Sequence, residues 1–190
     1  NVSPTMAITA SETATGQTTN DATLSLTFTS SEATTTFASA DISLVNGTIS
    51  NFASTNSSVY TATFTPTADG ACTIDVDAGG FTDAVGNSNT AATQFNWTYD
   101  STGPTMTITA AETASGQTTN DATLALTFTS NEATTNFVFE DISVSNGTLS
   151  TLSGSGTTYT ATFTPSASGA CTIDVAGGAF TDAAGNNNTA

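Results

Sequence analysis

Apolar and polar residues alternate along short stretches of this chain with the period of two that β-strands have. Leucine and phenylalanine alternate with serine and threonine over residues 24–29, and tyrosine, alanine and phenylalanine alternate with threonine over residues 60–65. Residues 72–76 follow the same rule, whereas no stretch repeats with the 3.6-residue period of a helix. Because alternate side chains of a strand point to opposite faces, each stretch predicts a half-buried strand. The strands predicted in this way, about seven or eight in the first hundred residues, indicate an all-β sandwich.

Turn-forming residues separate the predicted strands. Pro66 ends the strand that precedes it, since proline cannot donate a hydrogen bond to a ladder. Asn46-Gly47 lies between two apolar-alternating runs, which predicts a β-hairpin. In the loop FTDAVGN at residues 81–87, Asp83 is a candidate ligand, but an Asp with Gly and Asn close by is more typical of a loop held by local hydrogen bonds.

The strand at residues 95–99 carries three aromatic residues on one face: Phe95, Trp97 and Tyr99. A lone tryptophan could stack on a carbohydrate ring. Its alternation with two other aromatic residues instead favours a place for Trp97 in the core. The sequence shows no extended exposed aromatic patch outside the predicted core faces.

The chain contains nearly the same pattern twice. The run that begins at Pro4 begins again at Pro104, an offset of 100, and the run YTATFTP at Tyr60 reappears at Tyr159, an offset of 99. A long and nearly gapless repeat is the signature of a modular array. Each copy has the size of an ordinary domain, so we predict two tandem antiparallel β-sandwich domains. Their predicted bounds are residues 1–100 and residues 101–190.

The second copy stops before its last strand. It ends with DAAGNNNTA at Ala190, and the counterpart of Thr93–Asp100 is absent. A sandwich without that strand would expose an apolar edge. We expect the natural chain to continue and to supply the strand. The alternative is that another chain supplies it by donor-strand complementation.

The charge balance excludes several classes of partner. The sequence has 16 acidic residues and no Lys, Arg or His, for a formal net charge of −16. Without cations to neutralise phosphate, binding to DNA or RNA is excluded, and attraction to an anionic membrane surface is equally disfavoured. No run of about 20 apolar residues is present to insert into a membrane.

The same composition argues against an enzyme. Without His the chain has no ordinary general base near neutral pH, and without Lys it cannot form a Schiff base. Each copy has one cysteine, Cys72 or Cys171, so neither domain can close a disulfide within itself. Alternation places Cys72 on the core face with Ile74 and Val76, which predicts a buried thiol rather than a reactive one.

Both copies contain the run DIS-x-x-NGT, the run YTATFTP, and the loop F-T-D-x-x-G-N at Phe81–Asn87 and Phe180–Asn186. In these elements both copies resemble the bacterial immunoglobulin-like (Big) repeats of giant surface adhesins. The sequences of the two copies are also similar to repeats of the very large SprB-type adhesins of gliding motility. The resemblance implies two Ig-like domains of an exported protein at the bacterial cell surface, in which such domains form an extended stalk.

Clustered acidic residues predict a candidate calcium site where the two domains meet. Calcium takes oxygen ligands, and alternating strand directions would collect acidic loops at one end of the first domain, near the chain exit. The candidate ligands are Glu12, Asp21, Asp69, Asp100, Glu132, Asp182 and Asn186. The resemblance adds that related repeat adhesins use calcium at junctions. The alternative is that these are solvated turn residues, because Asp and Asn favour turns on their own.

The sequence thus predicts a non-enzymatic structural segment, a spacer in the stalk of a long extracellular adhesin or filament. Its expected partners are the adjacent Ig-like repeats of the same chain, with lateral or donor-strand contacts to other chains as further candidates. The competing hypothesis is an adhesive module that itself binds a carbohydrate or another cell surface.

Overall fold

The computed structural model describes residues 2–190 and divides the chain into two units, Asn1–Ser101 and Thr102–Ala190. Both units consist of strands and loops, with one short 3₁₀ turn each, at Ser39–Asp41 and Phe139–Asp141. In the part of the chain that the structure describes, no helix is long and apolar enough to cross a membrane. The prediction of an all-β fold is confirmed.

The first unit is a sandwich of two sheets. Its strands are β1 (Met6–Ala10), β2 (Thr18–Thr19), β3 (Leu24–Ser30), β4 (Ile42–Val45), β5 (Gly47–Asn56), β6 (Val59–Pro66), β7 (Gly70–Val76) and β8 (Phe95–Tyr99). One sheet has the order β1-β3-β6-β5 and the other β2-β8-β7-β4. Neighbouring strands are antiparallel except β2 and β8, which pair in parallel.

The core of the first unit lies between the two sheets and follows the alternation in the sequence. The predicted inward residues of β3, β6, β7 and β8 are buried, and Tyr99 packs against them half-buried. Trp97 is only 2% exposed, and its ring lies edge-on at 4.7 Å from the ring of Phe64. The prediction that Trp97 belongs to the core is therefore confirmed. Phe37 forms a second aromatic centre, with the rings of Phe28, Tyr60 and Phe81 within 5.6 Å.

The predicted hairpin at Asn46-Gly47 is wrong. β4 pairs with β7 and β5 pairs with β6, so the chain passes at this dipeptide from one sheet to the other. Asn46 has a φ of 58°, in the left-handed region that Asn tolerates. Gly47 packs directly on the buried ring of Phe64. Crossing between sheets lets the residues on both sides of the turn bury their apolar faces in one core, which outweighs the local preference for a hairpin.

The second unit repeats one sheet of the first but not the other. Its strands are β9 (Met106–Ala110), β10 (Leu124–Thr134), β11 (Ile142–Ser145), β12 (Gly147–Leu149), β13 (Ser153–Pro165) and β14 (Thr172–Val175). The first sheet has the order β12-β13-β10-β9, as in the first unit. Over residues 102–190, the second sheet contains β11 and β14, with no counterpart of β8. This agrees with the sequence prediction that the last strand is missing here.

Candidate functional site

The acidic candidates of the first unit lie at one end of its sandwich. Asp69 precedes the first residue of β7, which pairs with Tyr99, and Asp100 follows Tyr99. Asp21 follows β2, whose last residue also pairs with Tyr99. Glu12 follows β1, and the backbone N–H of Ser25, next to the start of β3, donates to its carboxylate at 2.8 Å.

These carboxylates accept hydrogen bonds from neighbouring residues at the same end of the sandwich. Thr19 donates its hydroxyl to Asp21, and Ser101 donates both its N–H and its hydroxyl to Asp69, at 2.8 and 2.7 Å. Burial raises the pKa of Glu12, but its hydrogen bonds with Ser25 outweigh that effect, so its pKa lies below the usual value. Asp21 thus makes the local hydrogen bond that is typical of a turn residue, whereas Glu12 and Asp69 accept hydrogen bonds from residues distant in the sequence.

The two acidic candidates of the second unit, Glu132 and Asp182, lie close to each other. A carboxylate oxygen of Glu132 lies within 4.8 Å of one of Asp182. Asp182 accepts hydrogen bonds from the backbone N–H of Asn186 at 2.9 Å and from its side-chain amide at 3.0 Å. Asn186 therefore presents donors to Asp182 in this arrangement, which is a loop-stabilising role. Carboxylate oxygens are suitable ligands for calcium. Calcium binding by these residues stays a prediction.

In the loop at residues 81–87, both oxygens of the Asp83 carboxylate accept hydrogen bonds from residues of the same loop. One carboxylate oxygen of Asp83 accepts from the backbone N–H groups of Val85 and Asn87, at 2.9 and 2.8 Å. The other accepts from the side-chain amide of Asn87 at 2.6 Å. Burial opposes ionisation, but these hydrogen bonds outweigh it and hold the pKa of Asp83 below its usual value. The prediction of a loop held by local hydrogen bonds is confirmed.

Asp83→Asn is expected to destabilise the first unit at neutral pH, because an amide turns one acceptor oxygen into a donor that faces the donors of Asn87. The folded pKa of Asp83 is lowered, so its stabilisation is present above the unfolded pKa of about 3.9 and is lost as pH falls through the folded value. Urea unfolding across pH, followed by the fluorescence of Trp97, should show the difference between wild type and variant shrinking below about pH 4.

Asp77→Asn is the control for loss of one negative charge, since the side chain of Asp77 is exposed. It should change the stability of the first unit little at neutral pH. A gap between wild type and Asp83→Asn that stays constant from neutral to acidic pH would contradict the assigned role of Asp83.

The two cysteines are free thiols in unequal surroundings. Cys72 is completely buried, and burial raises its pKa despite a hydrogen bond from the side chain of Asn46. This confirms the predicted buried thiol. Cys171 occupies the equivalent position in the second unit but is only half-buried. The difference arises because Trp97 of β8 pairs opposite Cys72, whereas nothing in residues 102–190 lies in that place beside Cys171.

The second unit has an apolar groove that the sequence analysis did not predict. Val138 is 46% and Phe139 is 44% exposed, beside a groove of about 550 Å³ that is also lined by Leu152 and Tyr159. In the first unit, Phe52 fills the position of Leu152 and stacks on Tyr60 at 5.7 Å. The signal was present as a difference between copies, since residues 38–39 are Ala-Ser and residues 138–139 are Val-Phe. The sequence predicts no extended exposed aromatic patch, and Phe139 is a single partly exposed aromatic residue beside this groove.

Comparison with known proteins agrees with this architecture. The family described as "Bacterial Ig-like domain" matches residues 1–99 and again residues 100–190. The crystal structure of invasin, a bacterial integrin-binding protein, aligns with 88% of this chain and 36% of its own, at 18% identity and a TM-score of 0.47. No curated protein matches the chain. The two family matches together span the whole sequence, and the chain therefore belongs to the bacterial Ig-like domain family.

Proposed function

We propose that this chain is a load-bearing spacer segment of an extracellular adhesin at the bacterial surface. Membership of the bacterial Ig-like family supports a surface protein of adhesin type. The near-repetition of one fold supports a stalk, because repeated domains add length with each copy. The absence of Lys and Arg also leaves trypsin-like proteases no cleavage site, which suits an exposed rod.

The observation that carries the mechanical part of the proposal is the parallel pairing of β2 with β8. These strands lie near the entrance and the exit of the first unit, and Thr18 and Thr19 pair with Thr98 and Tyr99. Their hydrogen bonds run from Gly16 N–H to Asn96 O, from Thr98 N–H to Gln17 O, and from Asp100 N–H to Thr19 O, at 2.8, 2.9 and 3.1 Å. Tension on the two chain ends loads these bonds together in shear rather than one after another. A unit built in this way is suited to resist pulling.

Stretching single molecules of the chain should give two unfolding events, and the event of the first unit should need the greater force. The reason is that residues 102–190 contain no counterpart of the pairing between β2 and β8. Thr98→Pro removes the N–H that donates to Gln17 and should lower the larger force towards the smaller one. Forced unfolding reports the unfolding barrier, so urea unfolding of the same variant gives the equilibrium loss separately.

Thr98→Val is the matched control, since it keeps the backbone N–H and suits a strand. Its unfolding force should equal that of the wild type. If Thr98→Pro also leaves the larger force unchanged, the parallel pair is not the mechanical element and the load-bearing proposal fails.

A second candidate function is favoured by one observation, the groove beside Val138 and Phe139. Exposed aromatic residues next to a groove are typical of binding surfaces. Under this alternative the second unit binds a carbohydrate or another cell surface. A glycan array probed with the whole chain separates the two proposals, because selective binding that is lost in Phe139→Ser, the residue of the first copy, would favour the adhesive module.

Calcium binding is a further prediction for the acidic loops. If calcium binds, thermal unfolding of the chain in calcium should occur at a higher temperature than in EGTA, because a ligand that binds only the folded state stabilises it. An unchanged transition would leave these acids as loop-stabilising residues.

A further inference from the structure

The apolar residues at the rim of the groove in the second unit are not required by the turn that carries them. Residues 138–140 are Val-Phe-Glu, where the first copy has Ala-Ser-Ala at residues 38–40. Both copies nevertheless form the same 3₁₀ turn. The carboxylate of Asp141 accepts the backbone N–H of Val138 at 2.8 Å, and the equivalent bond of the first copy has the same length. Since small residues build this turn equally well, the two large exposed side chains mark a surface that serves binding.

The floor of the groove is held in one arrangement by its own packing. The rings of Phe137 and Tyr159 meet edge to face at 5.1 Å, and the ring of Phe137 also lies 5.2 Å from that of Phe180. The hydroxyl of Tyr159 donates to the backbone oxygen of Thr134 at 3.0 Å. A floor that is already ordered loses little affinity to ordering when a partner binds.

The groove suits an apolar side chain better than a sugar. Among the described residues, the lining side chains with polar atoms are Glu140, Thr151 and Tyr159. The Tyr159 hydroxyl already donates to Thr134. A sugar ring seated here would bury several hydroxyl groups with too few hydrogen-bond partners, which costs free energy. A leucine or aromatic side chain would fill the same space without that cost.

The charge around the groove favours a cationic partner. Glu140 lines the groove and is exposed, and the next residue, Asp141, is also acidic. The whole chain has 16 acidic residues and no Lys, Arg or His. An anionic partner would therefore be repelled, whereas a Lys or Arg beside the apolar anchor is attracted to Glu140. An Arg can also lie over the ring of Phe139.

We propose that this groove, on the basis that it is the binding surface of the adhesive alternative, takes a segment of another protein in which a leucine or aromatic residue is flanked by Lys or Arg. The apolar side chain enters the groove over Phe137 and Tyr159, and the basic side chain pairs with Glu140. The first unit has Ser39 and Ala40 in place of the aromatic rim and the carboxylate, so it does not bind this segment.

The test selects from a displayed library of short random peptides on the whole immobilised chain, after depletion of the library on the Phe139→Ser variant. Serine is compatible with this turn, since Ser39 occupies the equivalent place in the first copy. The enriched peptides should carry a leucine or aromatic residue with Lys or Arg beside it. Synthetic copies of them should bind Phe139→Ser at least about tenfold more weakly than the wild type, as expected for loss of a central anchor.

Glu140→Gln tests the charge, because it keeps the size of the side chain. It should weaken binding of the enriched peptide about two- to fivefold, the effect of one exposed ion pair, and added salt should weaken binding to the wild type. Asp174→Asn is the matched control, since Asp174 is exposed in the same unit but does not line the groove. It should bind the peptide as the wild type does.

The outcomes separate this proposal from the adhesive function on which it rests. Enriched peptides that are neutral or acidic and bind Glu140→Gln unchanged would overturn the basic partner and leave the groove as a binding surface. If no peptide depends on Phe139, the proposal fails, and so does the adhesive alternative if glycans also fail to bind. Selective glycan binding that is lost in Phe139→Ser would overturn the proposal alone, because the occupant would then be a sugar.

Discussion

Trp97→Ala is expected to destabilise the first unit by about 3–5 kcal/mol, the range for removal of a buried tryptophan side chain. Trp97 is 2% exposed, contacts the rings of Phe64 and Phe95, and pairs opposite Cys72. Its loss leaves a cavity between the sheets that these rings cannot fill. A domain is stable by only about 5–15 kcal/mol, so the variant should lose a large part of its stability.

The measurement is urea unfolding followed by circular dichroism, since the only tryptophan of the chain is removed. Alkylation of Cys72 gives a second readout, because opening the space opposite its thiol should raise its reaction rate towards that of Cys171. Trp97→Phe is the control. The indole N–H of Trp97 has no hydrogen-bond partner in the described structure, so phenylalanine loses volume but leaves no polar group unpaired. If both variants lost equal stability, ring packing at this position would not be the cause.

The sequence predicted those parts of the fold in which local pattern and tertiary packing agree. The alternation in residues 24–29 and 60–65 identified strands and also their buried faces, because one face of each strand packs against the opposite sheet. At Asn46-Gly47 the local sequence pattern and the tertiary packing disagree. The dipeptide fits a hairpin locally, but the strands on either side belong to different sheets. Strand partners depend on the whole core, and a short pattern carries no information about them.

The candidate site was predicted less completely, for a related reason. The loop around Asp83 could be interpreted from composition alone, because its partners lie within four residues. The groove beside Phe139 could not, because it depends on whether residue 152 is aromatic, far away in the sequence. Comparing Leu152 with Phe52 across the repeat would have indicated it. In a repeat protein, the positions where the copies differ in size are therefore the places to search for function.

Gly47→Ala is expected to destabilise the first unit at the upper end of the range of about 1–3 kcal/mol for overpacking a core. A β-carbon at Gly47 would lie 2.1 Å from Cζ of Phe64 and 2.5 Å from its Cε1. The ring is fully buried, with the ring of Trp97 4.7 Å away, so it cannot move aside without displacing a second large side chain. Urea unfolding followed by the fluorescence of Trp97 measures the loss directly.

Two matched variants test this explanation. Gly80→Ala should cost much less, because a β-carbon there approaches no atom closer than 3.4 Å. In the second unit, a β-carbon at Gly147 would lie 2.2 Å from Cζ of Phe163 and 2.7 Å from the backbone oxygen of Thr164. Since a backbone oxygen cannot move aside as a side chain can, Gly147→Ala should destabilise its unit at least as much as Gly47→Ala destabilises the first. A loss at Gly47→Ala no larger than that at Gly80→Ala would contradict the explanation by close approach to Phe64.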